Sequence, residues 1–233
     1  MAVVVHHLNV SRSERIPWVL EELSVPYQVQ VHYRDANHQA PKTLWQVNPL
    51  GKAPCITIDG KLLTESGVIV HTLLNSFPNP TSGVETTTSP QSNFWNHFSE
   101  GSLMSILQGR RVAQMSAAEI AKQAASPEEA KGAQKVSRWF GAYSKRSLGP
   151  MLEQVELFLA ANKNFSGNSE KLGEGDFMMG WALMLLAPPT GQRPFPLGPA
   201  TEDYIKRIRS RPAYKRALER MDAEEKGQRG AKL

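Results

Sequence analysis

Cysteine is nearly missing from this chain: among 233 residues only Cys55 carries a thiol. A single thiol excludes an internal disulfide, a CxxC redox pair and a thiolate zinc cluster, and it fits a reducing compartment. Long apolar runs are missing too. The first, "AVVV" at residues 2–5, is followed at once by His6 and His7. That is far short of the about 20 residues a membrane span needs, or of a signal peptide's apolar stretch. The expected location is therefore cytoplasmic, with no membrane partner. The six histidines are scattered, and no pair stands at ligand spacing with a carboxylate, so no metal is expected.

Charge of one sign is in short supply over the first part of the chain. Residues 1–80 hold six Lys/Arg and six Asp/Glu, so the net charge of +5 arises downstream, much of it in the tail "YIKRIRSRPAYKRALERMDAEEKGQRGAKL". The tail's basic residues are interleaved with acids, and no aromatic residues alternate with them as stacking platforms. The expectation is a solvated helix face with a frayed end, and no nucleic-acid partner. No internal repeat is present.

What is present divides into two textures. The first alternates: an apolar run at 2–8, then "SRSERIPWVLEEL" with Ile16, Val19, Leu20 and Leu23 on one helical stripe. "YQVQVHY" alternates strictly as a strand, and "APKTLWQV" places Pro41 in the first turn of a short helix. A strand at 55–58 turns through Asp59-Gly60 into 61–63, and a helix starts near Ser66. The order β-α-β-α-β-β-α, with one crossover and one hairpin, is thioredoxin-like. Residues 78–93, "PNPTSGVETTTSPQSN", break the pattern, and beyond them only helical periodicity remains. The stretch 115–135 reads as helix or mobile insertion. The expected fold is an α/β thioredoxin-like domain at 1–80, a linker at 81–93 and an all-α helical domain at 94–233.

Three places carry candidate chemistry. In "NVSRSE", Ser11 and Glu14 fit a capping box, and the serine keeps its proton to give to an anion at the positive end of the helix. In "GKAPCITIDG", Pro54 enters a strand either as a plain turn or through a cis bond that exposes the backbone of Ala53 to an extended ligand. Lys52 beside it would meet a carboxylate. In "TESG", Ser66 would cap the next helix, whose free N–H groups suit a carboxylate, and Glu65 beside them suits an ammonium group. Pro17 stands early in the first helix without an evident reason. Together these residues ask for a short extended peptide with an amino-acid head, a second carboxylate and an anion near Ser11. Glutathione has that layout.

On "HHLNVSRSERIPWVLEEL", "VNPLGKAP", "LLTESGVIV" and "EGSLM" (residues 100–104), the chain resembles the glutathione S-transferase superfamily, near its fungal and bacterial theta-like group. The resemblance implies a glutathione-binding domain at 1–80, glutathione as co-substrate, and a homodimer. It makes Pro54 the cis-proline and places Gln39, Lys52, Ala53, Pro54, Glu65 and Ser66 around glutathione. Ser11 falls where the serine that hydrogen-bonds the thiolate stands, with Asn9 a second candidate. Phe94, Phe98, Ser102 and Met104 are placed by position around an electrophilic or conjugated second substrate. The chain departs from the family at Gly173, where relatives carry Ser/Thr, and at Ser105, where a proline is common. Arg110, Arg111 and "APPTGQRPFP" are particular to this chain, and the arginine pair would polarise an oxygen-rich acceptor. The implied activity is thiol transfer in detoxification or secondary metabolism. Its alternatives are a glutathione-dependent cis–trans isomerase and a catalytically silent glutathione-binding protein.

Overall fold

Parallel neighbours in a sheet need a crossover, and the chain supplies one in its first thirty-two residues. Strands β1 (Val3–Leu8) and β2 (Tyr27–His32) pair in parallel, Val3 opposite Tyr27 and Leu8 opposite His32, with helix α1 (Arg15–Leu23) between them. This computed structural model describes residues 1–230 other than Asn37, Thr87, Asn168, Ser169, Gly191, Gln192 and Pro194. Part of the proline-rich stretch at 187–196 therefore lies outside the described residues. Ile16, Val19, Leu20 and Leu23 all face the core, as their spacing predicts. Pro17 breaks no hydrogen bond: a 3-10 turn at Arg12–Glu14 precedes α1, so Pro17 is the third residue of the helix, where the N–H has no intrahelical partner anyway.

After the short helix α2 (Lys42–Trp45), strands β3 (Cys55–Ile58) and β4 (Lys61–Thr64) form an antiparallel hairpin. Asp59 and Gly60 both have positive φ (49° and 79°), the backbone a two-residue hairpin demands. The sheet order is β2-β1-β3-β4, and helix α3 (Ser66–Ser76) follows. Pro41 is the N-cap of α2 rather than a first-turn residue. The helical half runs α4 (Pro90–Phe98), π-helical turns at Ser99–Met104, α5 (Ser105–Gln123), α6 (Pro127–Ala161), α7 (Glu174–Leu186), α8 (Pro199–Ser210) and α9 (Pro212–Gly230). The stretch 115–135 is helical and forms the turn of the α5–α6 hairpin. Helix α7 is apolar on all sides and buried along most of its length, which makes it the axis of the helical half.

The missing hydroxyl at Gly173 is replaced from another helix. Ser92 Oγ of α4 accepts the Gly175 N–H at 2.9 Å, and Asp176 accepts the Gly173 N–H at 2.9 Å. A Cβ on Gly173 would lie 2.9 Å from both Ser166 Cβ and Ser92 Oγ. Gly173→Ser should therefore destabilise by about 1–3 kcal/mol instead of adding a cap. A raised melting temperature would show that the two serines yield.

The basic tail is a docked strap, not a solvated face with a frayed end. Arg211 forks onto the Glu22 carboxylate at 2.5 and 2.7 Å, Arg216 Nε reaches Glu21 at 2.9 Å, and Arg220 lies 3.8 Å from the centre of the Tyr27 ring. Farther along α9 the Gln228 amide accepts from Val31 N–H at 2.9 Å and donates to Val29 C=O at 2.8 Å. Gln228 thereby satisfies backbone groups on the open edge of β2, which would otherwise be left for another chain. Sequence spacing gives no sign of this, because the partners lie about 190 residues apart.

Candidate active site

A cavity of about 860 Å³ opens between the start of α3 and helices α4, α5 and α7. One wall comes from the sheet half and brings together Lys52, Ala53, Pro54, Glu65 and Ser66. The Ala53–Pro54 peptide is cis. The loop before it is held by Asn48, 2% exposed, which donates to Lys52 C=O at 2.8 Å and accepts from Leu50 N–H at 3.1 Å. Gly51 must stay glycine there: φ is +59°, and a Cβ would sit 2.4 Å from the Trp45 ring.

Glu65, not Ser66, is the N-cap of α3, and it makes no capping bond to the helix. Its φ of +69° is a conformation side chains of its size rarely adopt, and such strain is concentrated at binding sites. Ser66, Gly67 and Val68, the first residues of α3, all line the cavity, so the helix's unpaired N–H groups face it. A carboxylate acceptor and an anion-binding helix end therefore stand side by side. Gln39 is exposed on its loop and is not among the lining residues.

Ser11 caps the 3-10 turn, its Oγ accepting from Ser13 N–H at 3.1 Å. A capping box would have used the Glu14 N–H; the tighter first turn moves the bond one residue earlier. Glu14 is held instead by Trp181 Nε1 at 3.1 Å, and burial pushes its carboxyl up. Ser11 is half-buried and does not itself line the cavity, whereas Arg12 beside it does. Asn9 spends its side-chain oxygen on the Arg34 N–H at 2.9 Å, which ties down the loop after β2.

The opposite wall corrects the expected second pocket. Asn93, Asn96, His97, Glu100, Gly101 and Gln108 line it, while Phe94, Phe98, Ser102 and Met104 do not. Spacings of three and four put Asn93, Asn96, His97 and Glu100 on one helical stripe. Phe98 and Met104 turn the other way, onto the core around Trp95 and Leu103, and Phe94 is 55% exposed. The wall is thus polar where an apolar one was expected. Arg110 and Arg111 do not line it either: Arg110 lies 5.1 Å from the Phe195 ring and Arg111 is exposed. Successive residues of a helix point about 100° apart, so an adjacent pair cannot work as one clamp.

Two ionic groups that sequence reading missed shape the cavity floor. Glu100 binds Arg12 Nε at 2.8 Å and Arg15 Nη1 at 2.9 Å. Burial pulls the Arg15 guanidinium down to about 10, opposed by the charge and hydrogen bond of Glu100. Glu174, 2% exposed, accepts from Asn96 Nδ2 at 3.2 Å and from Thr88 Oγ1, and pairs with His71 Nδ1. It joins α3, the linker, α4 and α7 around one edge of the cavity. Only the fold brings these residues together, since Glu174 lies 103 residues from His71.

The family profile described as Glutathione S-transferase, N-terminal domain, matches residues 3–75. The chain is 37% identical to Glutathione S-transferase 3 of Schizosaccharomyces pombe over 116 residues, which span 49% of this chain and 48% of that protein. It is 27% identical to Glutathione S-transferase 1 of Saccharomyces cerevisiae over 229 residues, 95% of this chain and 96% of that one. Among solved structures, a glutathione S-transferase from Xylella fastidiosa superposes with a TM-score of 0.73 at 14% identity, covering 93% of this chain and 97% of that one.

Proposed function

Because the chain belongs to the glutathione S-transferase superfamily, we propose that it is a transferase that joins the sulfur of glutathione to an electrophilic small molecule. The observation that carries this reading is the single cavity shared by Lys52, Ala53, Pro54, Glu65 and Ser66. Glutathione fits those residues end to end. Its glutamyl ammonium meets Glu65 and the adjoining carboxylate meets the N–H groups at the start of α3. The cysteinyl backbone pairs with Ala53, and Lys52 faces the remaining carboxylate. That places the thiol toward the first turn, where the Ser11 hydroxyl would donate to sulfur and favour the thiolate.

The thiolate then attacks an electrophilic carbon and the S–C bond forms. A leaving group departs with its bonding pair, or, on a conjugated double bond, the neighbouring carbon takes a proton from solvent. The polar stripe of α4 favours an acceptor that itself carries hydrogen-bonding groups, whether met in detoxification or in secondary metabolism. Conjugation of an aryl halide and of an activated polar alkene, measured beside glutathione binding by calorimetry, tests the reading. Turnover of the alkene above that of the halide is expected. Binding without turnover of either would make the protein a silent glutathione binder, and absence of binding would overturn the reading entirely.

Ser11→Ala should lower the conjugation rate roughly tenfold or more while glutathione affinity stays within about threefold, since the hydroxyl acts on the anion that forms. About 1 kcal/mol of stability should go with the lost cap. A thiolate absorbance that titrates as in the parent would remove Ser11 from the role.

A further inference from the structure

We propose that His7 and Glu225 set the direction in which the Ser11 hydroxyl points, acting through Ser13, so that the C-terminal helix positions the thiolate donor from behind. The inference rests on Ser11 being that donor. Four side chains form an unbroken file: Glu225 Oε1 is 2.8 Å from His7 Nε2, His7 Nδ1 is 2.9 Å from Ser13 Oγ, and Ser13 Oγ is 2.7 Å from Ser11 Oγ. His7 and Ser13 are fully buried, and the Glu225 side chain is 36% exposed.

Each hydroxyl has one proton to give, so the file has a polarity. When His7 carries both ring protons, Nε2–H goes to Glu225 and Nδ1–H to Ser13 Oγ. Ser13 then donates to Ser11, and the Ser11 proton is left for sulfur. When His7 is neutral with its proton on Nε2, Nδ1 takes the Ser13 proton instead. Ser13 oxygen then takes the Ser11 proton, and none is left for sulfur. The alternative contacts of Ser13, to the Leu8 N–H and C=O, are longer at 3.3 Å each.

A carboxylate at Nε2 favours the first arrangement, because it pairs with the imidazolium. Around His7 the other ionisable groups are Glu14 of the 3-10 turn, whose carboxyl faces both His7 and Glu225, and Tyr214 of α9 near Glu14. Tyr33 also touches this end of α9, its hydroxyl donating to the Glu225 C=O. With Gln228 on the β2 edge, these contacts hold Glu225 in place. Docking of α9 and aim of the Ser11 hydroxyl are thereby one equilibrium. His7 and Ser13 are positioning residues.

The test is a titration of the thiolate absorbance of bound glutathione in the full chain, comparing the parent with Glu225→Gln, Ser13→Ala, the double variant and Ser11→Ala. Glutamine still accepts the Nε2–H but has no charge to hold the imidazolium. Glu225→Gln should therefore move the bound thiol's titration up by roughly one pH unit or more, with glutathione affinity within about threefold. Ser13→Ala should also raise it, and adding Glu225→Gln to Ser13→Ala should change nothing further, because the file is already cut. Should Glu225→Gln fail to fold, an unshifted titration in Ser13→Ala alone overturns the relay. So does a shift in Ser11→Ala without one in Glu225→Gln, or an undiminished Glu225→Gln effect in the Ser13→Ala background. An unshifted Ser11→Ala overturns the proposed donor, and the relay with it.

Discussion

Replacing Asp176 with alanine is expected to cost about 3–5 kcal/mol of folding stability, the largest loss foreseen from any single change in this chain. Asp176 is fully buried at the start of α7, and both of its oxygens are fully used. Oδ1 accepts from Phe165 N–H at 2.7 Å and Tyr204 hydroxyl at 3.1 Å; Oδ2 accepts from Gly173 N–H at 2.9 Å and Ser166 N–H at 3.0 Å. Alanine would leave three backbone N–H groups and a phenol buried without their acceptor. Burial pushes the carboxyl up, to about 6, against these four donors. Asparagine is no remedy. Whichever way its amide lies, an NH2 group meets two donors, so Asp176→Asn should lose most of the same stability. A chemical-denaturation series would show the loss directly, and the melting temperature should fall by about 6–20 °C. A loss below about 1 kcal/mol for both variants would mean that water or a rearranged loop can replace the carboxylate.

The acid itself could be read from the sequence as the cap of a buried helix, but its four donors could not. Three of them come from a loop and a helix that no local pattern ties to it. The same divide runs through the rest of the molecule. Strands and helices of the first half were legible because period two and period 3.6 report a buried face directly, and Asp59-Gly60 names its own turn. Residues of the glutathione wall were legible because cap chemistry is local: Glu65 and Ser66 sit at one helix start, even though the cap proved to be Glu65. The second wall was not. Choosing Phe94 and Phe98 amounted to choosing a stripe by hydrophobicity, and in a helix that also packs a core the apolar stripe turns inward. The polar stripe at Asn93, Asn96, His97 and Glu100 was left to face the cavity. The tail's arginines were misread for a related reason. Charge density along a segment says nothing about carboxylates that only the fold brings opposite, such as Glu21 and Glu22.

Glu65→Ala should weaken glutathione binding by roughly 10–100-fold, the worth of a charge-assisted hydrogen bond to an ammonium group. The physical case rests on where this acid stands. A carboxylate beside free N–H groups at a helix start competes with any anion those groups would hold, unless the ligand also brings a positive charge. The residue is also held at φ +69° without making a capping bond in return. A conformation of that kind costs about 1–3 kcal/mol and survives only where the surroundings enforce it. Alanine keeps the backbone problem and removes the charge, so its effect on binding reports the carboxylate alone. Glu65→Gln separates charge from shape further: the amide fills the same space, and its loss should approach that of alanine. A glutathione analogue lacking the α-amino group supplies the reciprocal arm. It should bind the parent and Glu65→Gln with nearly equal affinity, because the interaction it would lose in the variant is already absent. Calorimetric titrations at one pH and ionic strength decide the matter. Equal affinity of parent and Glu65→Ala for glutathione itself would take Glu65 out of the site and leave its backbone conformation in need of another cause.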